Sequence, residues 1–106
     1  MSSIVRIPNI SIPSKKITQF CQHYHIQKLS FFGSVLRDDF SPQSDLDILV
    51  EFNPQYIPGL IRLSAMEQEL SKIFQRQVDL RTPKDLSHYF RQEVLDSAIV
   101  QYVDSR

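Results

Sequence analysis

Residues 31–52 read Phe-Phe-Gly-Ser-Val-Leu-Arg-Asp-Asp-Phe-Ser-Pro-Gln-Ser-Asp-Leu-Asp-Ile-Leu-Val-Glu-Phe, and this stretch decides the fold. It joins two apolar runs. Gly33 and Ser34 close the first run, and after ten further residues Asp45-Leu46-Asp47 opens the second. The pattern predicts two strands, joined by one helical turn over 34–37 and a loop over 38–44.

The two aspartates point to a metal site. Because residues i and i+2 of a strand face the same way, Asp45 and Asp47 direct two carboxylates at one spot. Like charges this close repel, so one would take up a proton unless a cation lies between them. Magnesium suits the site, since it accepts carboxylate oxygens and keeps water and phosphate oxygens as further ligands. The alternative is a polar turn before a strand, where Asp is common.

The Gly-Ser turn is the candidate phosphate site. Gly33 lets backbone N–H groups approach a phosphate closely. Ser34 adds a hydroxyl and an N–H at a predicted helix N-terminus, which favours an anion. Arg37 could fork onto phosphate oxygens. The alternatives are a strand-ending turn with Ser34 as its N-cap, and a surface pair between Arg37 and a neighbouring aspartate.

Asp79 is the third candidate carboxylate. It lies between Val78 and Leu80 in a later apolar run, where a carboxylate is costly unless it is paired or bound to a metal. Its strand face is shared with Gln77 and Arg81. Pairing with Arg81, or simple exposure on an edge strand, is the alternative to a functional role.

The remaining chain predicts an α+β fold of one domain over 1–106, with a small mixed β-sheet packed against helices and an extended N-terminal arm over 1–13. A helix lies between the second and third strands, and such a crossover permits a parallel pair. Ser14 is the predicted cap of the first helix. The predicted elements are helices over 14–24, 60–75 and 86–98 and strands over 26–32, 44 or 45 to 52, 77–81 and 99–103.

Composition narrows the class of protein. Lys+Arg and Asp+Glu both number 12, so the formal net charge is zero. That balance argues against coating long nucleic acid, which needs a basic surface, and does little to prevent homo-oligomers. Cys21 is the single cysteine, so no disulfide forms within the chain, and we expect a small buried hydrophobe. With no signal peptide or membrane span evident, we expect a cytoplasmic protein.

Three segments together resemble a known family. They are Gly-Ser-Val-Leu-Arg-Asp-Asp-Phe, Ser-Asp-Leu-Asp-Ile-Leu-Val-Glu-Phe and the later Val-Asp-Leu-Arg-Thr-Pro. Gly-Ser, a ten-residue gap and Asp-x-Asp resemble the signature of the nucleotidyltransferase superfamily, the fold of DNA polymerase beta. Over residues 16–103 the chain is similar to its smallest members, the minimal nucleotidyltransferases (MNT). The family often has a small residue near Arg37, so this loop departs from the pattern.

The resemblance implies an activity and roles. Asp45, Asp47 and Asp79 would be catalytic residues that ligate two Mg²⁺ ions, with Asp79 also helping to deprotonate the attacking hydroxyl. Gly33 and Ser34 would hold the β- and γ-phosphates of ATP. The acceptor hydroxyl would attack the α-phosphorus, and pyrophosphate would leave.

MNT proteins are commonly paired with HEPN ribonuclease toxins and transfer AMP from ATP to a toxin tyrosine. The resemblance therefore implies a protein adenylyltransferase that acts as a type VII-like antitoxin, with a HEPN-type toxin as its partner. Two alternatives stay open. One is a non-catalytic antitoxin that neutralises its toxin by binding, and the other is a nucleotidyltransferase that modifies a small molecule or an RNA end.

Overall fold

The structure is a computed structural model, and it describes residues 10, 12–36, 40–41 and 43–104. The order of helices and strands is the predicted one. The helices and strands are α1 (Ser14–His23), β1 (Ile26–Phe32), β2 (Leu46–Phe52), α2 (Leu60–Phe74), β3 (Val78–Arg81), α3 (Arg91–Ser97) and β4 (Ile99–Val103). Within the described residues, no helix is long and apolar enough to cross a membrane.

The four strands form one mixed sheet in the order β3-β2-β1-β4. β1 is antiparallel to both β2 and β4, whereas β3 runs parallel to β2 after the α2 crossover. The predicted mixed sheet is therefore confirmed. Because β1 ends where β2 and β3 begin, the Gly-Ser turn and both acidic segments meet at one end of the sheet, which we call the site end.

The hydrophobic core lies on one face of the sheet. Strand residues that alternate along the sequence contribute its apolar side, and α1 and α2 cover it with residues spaced three or four apart. The fully or nearly buried members include Ile17, Phe20, Cys21, Leu29, Phe31, Ile48, Val50, Met66, Leu70 and Val78. Burial raises the pKa of the Cys21 thiol to about 12, which confirms its expected role as a small apolar group.

Helix α2 also holds the edge strand β3. The hydroxyl of Ser71 accepts the Val78 N–H at 3.0 Å, and Glu67 Oε2 accepts the Leu80 N–H at 2.8 Å. These two side chains satisfy backbone donors that an edge strand would otherwise leave open to another chain. They also fix β3 along its length, and therefore fix the position of Asp79 between the two bonded residues.

The third predicted helix begins late. We expected it to start at Leu86, but α3 starts at Arg91. Residues 82–85 instead close a short turn in which both the N–H and the hydroxyl of Thr82 donate to Asp85 Oδ2 at 3.1 Å. Arg91 Nε then donates to the Pro83 carbonyl oxygen at 2.8 Å. These bonds fix the turn that precedes Leu86, and a further turn over residues 88–90 leads into α3.

The predicted cap of the first helix is wrong. Pro13 occupies the N-cap position of α1, and no side chain caps the helix. The Pro13 carbonyl oxygen accepts the Ile17 N–H at 3.0 Å, so Ser14 is already the first helical residue. The predicted arm over 1–13 falls almost entirely outside the described residues.

A substitution at Glu67 tests the link between α2 and β3. The Glu67→Ala variant leaves the half-buried Leu80 N–H unpaired, so we expect a loss of about 1–2 kcal/mol in the free energy of unfolding. That loss corresponds to a fall in Tm of roughly 4–8 °C per kcal/mol in a domain of this size. Glu67→Gln keeps an acceptor oxygen and should lose less.

The matched control is Gln68→Ala, which removes an exposed side chain from the same helix. Thermal melts of the three variants and the wild type make the comparison. An equal melting temperature for Glu67→Ala and Gln68→Ala would show that the Glu67 contact does not hold β3.

Candidate active site

Asp47 and Asp79 lie opposite each other at the site end. They are the second residues of β2 and β3, and the parallel register pairs them directly. Paired residues on neighbouring strands point to the same face, and such strands lie about 4.8 Å apart. The structure therefore brings two of the three predicted carboxylates side by side, on the sheet face opposite the core.

Asp45 precedes β2 by one residue and is exposed. Its charge acts on Asp47 and contributes to the rise in the pKa of that carboxyl. That these two carboxylates act on one spot stays a prediction.

The pKa of Asp47 is raised above its ordinary value, and the causes describe the site. Partial burial contributes most, followed by the negative charge of Asp79 and then that of Asp45. The Ser34 N–H, which donates a hydrogen bond to the Asp47 carboxylate, and the Arg81 guanidinium act in the opposite direction. Burial and the acidic neighbours thus disfavour the charged form of Asp47 more than Ser34 and Arg81 favour it.

Gly33 is required by the close approach of the turn to Asp47. Its φ of +73° lies in the left-handed region that L side chains rarely adopt. A Cβ at this position would overlap Asp47 Oδ2 and lie 3.1 Å from Asp47 Cγ. Backbone conformation and packing therefore both demand glycine, because the end of β1 passes directly over the carboxylate.

Ser34 ties the turn to the start of β2. Its hydroxyl donates to the Asp45 carbonyl oxygen at 3.3 Å, while its N–H donates to the Asp47 carboxylate. The short helical turn over Gly33–Leu36 is a 3-10 helix. Phosphate binding by Gly33 and Ser34 stays a prediction, and Arg37 lies outside the described residues.

Asp79 is held by an arginine on its own strand. Arg81 Nε donates to Asp79 Oδ1 at 3.0 Å, and Arg81 Nη2 donates to Oδ2 at 3.3 Å. From the sequence, this Arg81–Asp79 pair is the alternative to a functional role for Asp79. The structure contains the pair, and a role for Asp79 in metal binding and proton transfer stays a prediction.

The donor chemistry of the site fits magnesium. Carboxylates at one end of the sheet supply the hard oxygen ligands that this cation takes, and a bound cation would oppose the effects of burial and of the acidic neighbours that raise the pKa of Asp47. Among the residues described, however, no three His, Cys, Asp or Glu side chains stand close enough together to hold a metal ion. The ion pair between Arg81 and Asp79 would have to break before three carboxylates could hold one cation together.

Arg76 supports the site but was missed by sequence reasoning. Its guanidinium lies 4.3 Å from the centre of the Phe40 ring, and its Nη2 donates to the Ser41 carbonyl oxygen at 2.8 Å. It thus fastens the segment that leads into Asp45 to the turn that leads into β3. No local pattern marks an arginine for such a contact, since its partners lie 35 residues away.

Comparison with known proteins identifies the class. Residues 14–101 match the model of the family described as the nucleotidyltransferase domain. This match spans most of the chain, so the chain belongs to the nucleotidyltransferase domain family.

Two curated relatives make the likeness more specific. The chain is 27% identical over 99 residues to the protein adenylyltransferase MntA of Thermococcus cleftensis, with 93% of this chain and 96% of the relative covered. It is 34% identical over 80 residues to a Methanocaldococcus jannaschii protein provisionally named protein adenylyltransferase MJ0128, with 76% of this chain and 78% of the relative covered.

Solved structures share the fold. A crystal structure of a toxin–antitoxin with AMP-PNP superposes with a TM-score of 0.72 at 21% identity, covering 89% of this chain and 76% of the other. A structure of the tri-AMPylated Shewanella oneidensis HEPN toxin in complex with MNT antitoxin gives a TM-score of 0.63 at 22% identity, covering 86% of this chain and 70% of the other. The mixed four-stranded sheet with its helices is therefore the fold of these neighbours.

The two glycines of the chain offer a matched test of the turn. In Gly33→Ala the new methyl group displaces the Asp47 carboxylate, so we expect a loss of about 1–3 kcal/mol in stability from the strained backbone and loss of ATP binding in the presence of Mg²⁺. In Gly59→Ala the new methyl group meets no atom within 4 Å.

Gly59 is the N-cap of α2, so its replacement by alanine lowers stability modestly and should leave ATP affinity unchanged. Calorimetric titration and thermal melts of both variants provide the measurements. Wild-type ATP affinity in Gly33→Ala would contradict the placement of the turn against Asp47.

The pKa of Asp47 predicts how its removal alters stability with pH. A raised pKa means that the native state holds this proton more tightly than the unfolded chain. Its stabilising contribution is complete below about pH 3.8, the ordinary value for the group, and is lost as the pH rises through the raised pKa. In EDTA at pH 7, Asp47→Asn should therefore be more stable than the wild type by up to about 1 kcal/mol.

Thermal melts between pH 3.5 and about pH 7 test this expectation, because the advantage should shrink as the pH falls. Asp96→Asn, on the exposed face of α3, is the control. A lower melting temperature for Asp47→Asn than for the wild type at pH 7 would show that the Ser34 N–H and Arg81 outweigh the acidic neighbours.

Proposed function

We propose that this protein is a magnesium-dependent protein adenylyltransferase that transfers AMP from ATP to a tyrosine hydroxyl of a HEPN-type ribonuclease toxin, and so acts as its antitoxin. The observation that carries the proposal is the direct pairing of Asp47 with Asp79 beneath the Gly33 turn. A concentration of carboxylates next to a glycine turn suits a bound cation and triphosphate better than it suits a purely structural surface.

The names of similar proteins support the reaction and the partner. The Thermococcus relative is named a protein adenylyltransferase, and one structural neighbour contains an AMPylated HEPN toxin beside its MNT antitoxin. Another neighbour contains AMP-PNP, which supports ATP as the nucleotide. We extend these properties to this chain because the Gly-Ser turn and the paired carboxylates occupy one site.

The proposed mechanism relies mainly on positioning and charge. Asp45, Asp47 and Asp79 would hold magnesium, which when bound offsets negative charge on the phosphates as the α-phosphorus is attacked and pyrophosphate leaves. Gly33 brings the backbone of the turn against Asp47, beside the proposed phosphate position. Asp79 accepts the proton of the attacking hydroxyl, a role that the positive charge of Arg81 opposes while the ion pair lasts.

A tyrosine hydroxyl is a suitable acceptor. Its pKa of about 10 makes it easier to deprotonate than an aliphatic alcohol. The added phosphate group brings negative charge, and that charge would repel the RNA backbone from the active site of a ribonuclease. Transfer of AMP would therefore inactivate such a toxin without destroying it.

Exposed apolar side chains support a protein acceptor. In the described residues, the most exposed large apolar groups lie in two stretches. Leu60 and Ile61 at the start of α2 are 84% and 89% exposed, and Tyr89 before α3 is 88% exposed. Surfaces of this kind commonly mark contacts with another protein.

The test is to incubate the purified protein with the neighbouring toxin and Mg²⁺-ATP and to measure the intact mass of the toxin. We expect an increase that matches one or more AMP groups, located on tyrosine by fragmentation. Asp79→Asn should slow the transfer far more than it lowers ATP affinity, because proton removal is needed only in the transition state.

Asp96→Asn is the matched control, and it should transfer AMP at the wild-type rate. An unmodified toxin that is nevertheless bound and inhibited would contradict the proposal and favour a non-catalytic antitoxin. Transfer to an RNA end or a small molecule but not to the toxin would favour the other nucleotidyltransferase reading.

A further inference from the structure

Arg81 occupies both oxygens of the third carboxylate. The two contacts, 3.0 and 3.3 Å, form the fork that a guanidinium makes with a carboxylate. While this fork is closed, each Asp79 oxygen already accepts one hydrogen bond, and the positive guanidinium opposes the approach of a cation or a proton. Catalytic use of Asp79 is therefore favoured by the departure of Arg81.

The ion pair between Arg81 and Asp79 lies at an exposed position where it can break. The Arg81 and Asp79 side chains are 47% and 35% exposed, so water competes for both groups and the pair contributes little net free energy. Arg81 is the last residue of β3, where the chain leaves the sheet for the Thr82 turn. Its side chain therefore moves without disturbing the core.

Among the arginines that the structure describes, Arg81 is the one whose guanidinium lies at the site end. The other three are engaged elsewhere: Arg62 lies over the Tyr24 ring, and Arg76 and Arg91 donate to backbone carbonyl oxygens. The charge of Arg81, by contrast, already acts on the pKa of Asp47. It shares the sheet face of Asp47 and Asp79, since it follows Asp79 by two residues on the strand.

The geometry points to a change of partner by Arg81, from Asp79 to a phosphate group of the nucleotide, when ATP binds with its metal. A triphosphate offers the same pair of acceptor oxygens as a carboxylate and more negative charge. Arg81 is thus a nucleotide-binding residue whose movement frees Asp79. This inference rests on the proposed function, because it assumes that ATP binds at the site end.

The exchange makes nucleotide and metal depend on each other. Without nucleotide, Arg81 competes with a cation for Asp79. With nucleotide, the phosphates give Arg81 a new partner, and Asp79 becomes available. Removal of Arg81 should therefore affect the two ligands in opposite directions, which neither a purely structural role nor a simple loss of positive charge far from the site would do.

The experiment measures both ligands separately. Binding of Mn²⁺ alone is followed by the EPR signal of the free ion, and binding of ATP in excess Mg²⁺ is followed by calorimetry. In Arg81→Ala we expect Mn²⁺ to bind up to about fivefold more tightly, as a weak exposed competitor is removed. ATP should bind about tenfold more weakly or worse, as a charge-assisted contact is lost.

Two further variants sharpen the result. Arg81→Lys keeps the charge but loses the fork, so its ATP affinity should lie between those of the wild type and Arg81→Ala. Arg62→Ala changes the net charge by the same amount on α2 and should keep wild-type affinity for both ligands. Thermal melts confirm that each variant is folded at the temperature of the titrations.

Two outcomes overturn the inference. Unchanged ATP affinity in Arg81→Ala shows that Arg81 does not reach the nucleotide, and unchanged or weaker Mn²⁺ binding shows that it does not compete with a cation. Failure of the proposed function gives a different result. In that case the wild type binds Mn²⁺ and ATP with the predicted dependence on Arg81 but transfers no AMP to the toxin.

Discussion

The side-by-side placement of Asp47 and Asp79 is the constraint on which the site depends. It requires two parallel strands in register, and parallel neighbours require a crossover. Helix α2 supplies that crossover, packs Met66 and Leu70 into the core, and bonds the outer N–H groups of β3 through its side chains. The same helix therefore stabilises the fold and sets the distance between two like charges.

The negative charge of the carboxylates that this arrangement brings together is useful only when a cation binds to them. Packing raises the pKa of Asp47 through burial and through its acidic neighbours, while the Ser34 N–H and Arg81 oppose the rise only in part. An arrangement that costs stability in the absence of a ligand is common where a ligand is bound. Here the Asp47 carboxylate fills the space that a side chain at Gly33 would occupy, so the backbone of the turn lies directly against it.

Most of the architecture follows from local patterns in the sequence. Apolar runs predicted β1 and β2, the three- and four-residue spacing predicted α1 and α2, and the helix between β2 and β3 permitted their parallel pairing. The direction of Asp45 was predicted from strand geometry, although Asp45 lies one residue before β2. These features depend on residues close together in the chain, which is why the sequence suffices to predict them.

Other features depend on contacts that local patterns do not carry. The ion pair between Arg81 and Asp79 depends on which side-chain rotamers the two residues adopt. The sequence therefore predicts it only as one of several alternatives. The Arg76 contact with Phe40 joins residues far apart in the chain. The start of α3 was misplaced because a turn over residues 88–90 precedes the helix, and local patterns locate the ends of an element less well than its existence.

We propose that the carboxylates at the site end bind ATP together with a divalent cation. Calorimetric titration of the wild type with ATP, once in Mg²⁺ and once in EDTA, is the sharpest test. We expect clear binding in Mg²⁺, weak binding in EDTA, and loss of the difference when Asp45 and Asp47 are both changed to Asn. Equal affinity in Mg²⁺ and in EDTA would contradict the assignment of this site.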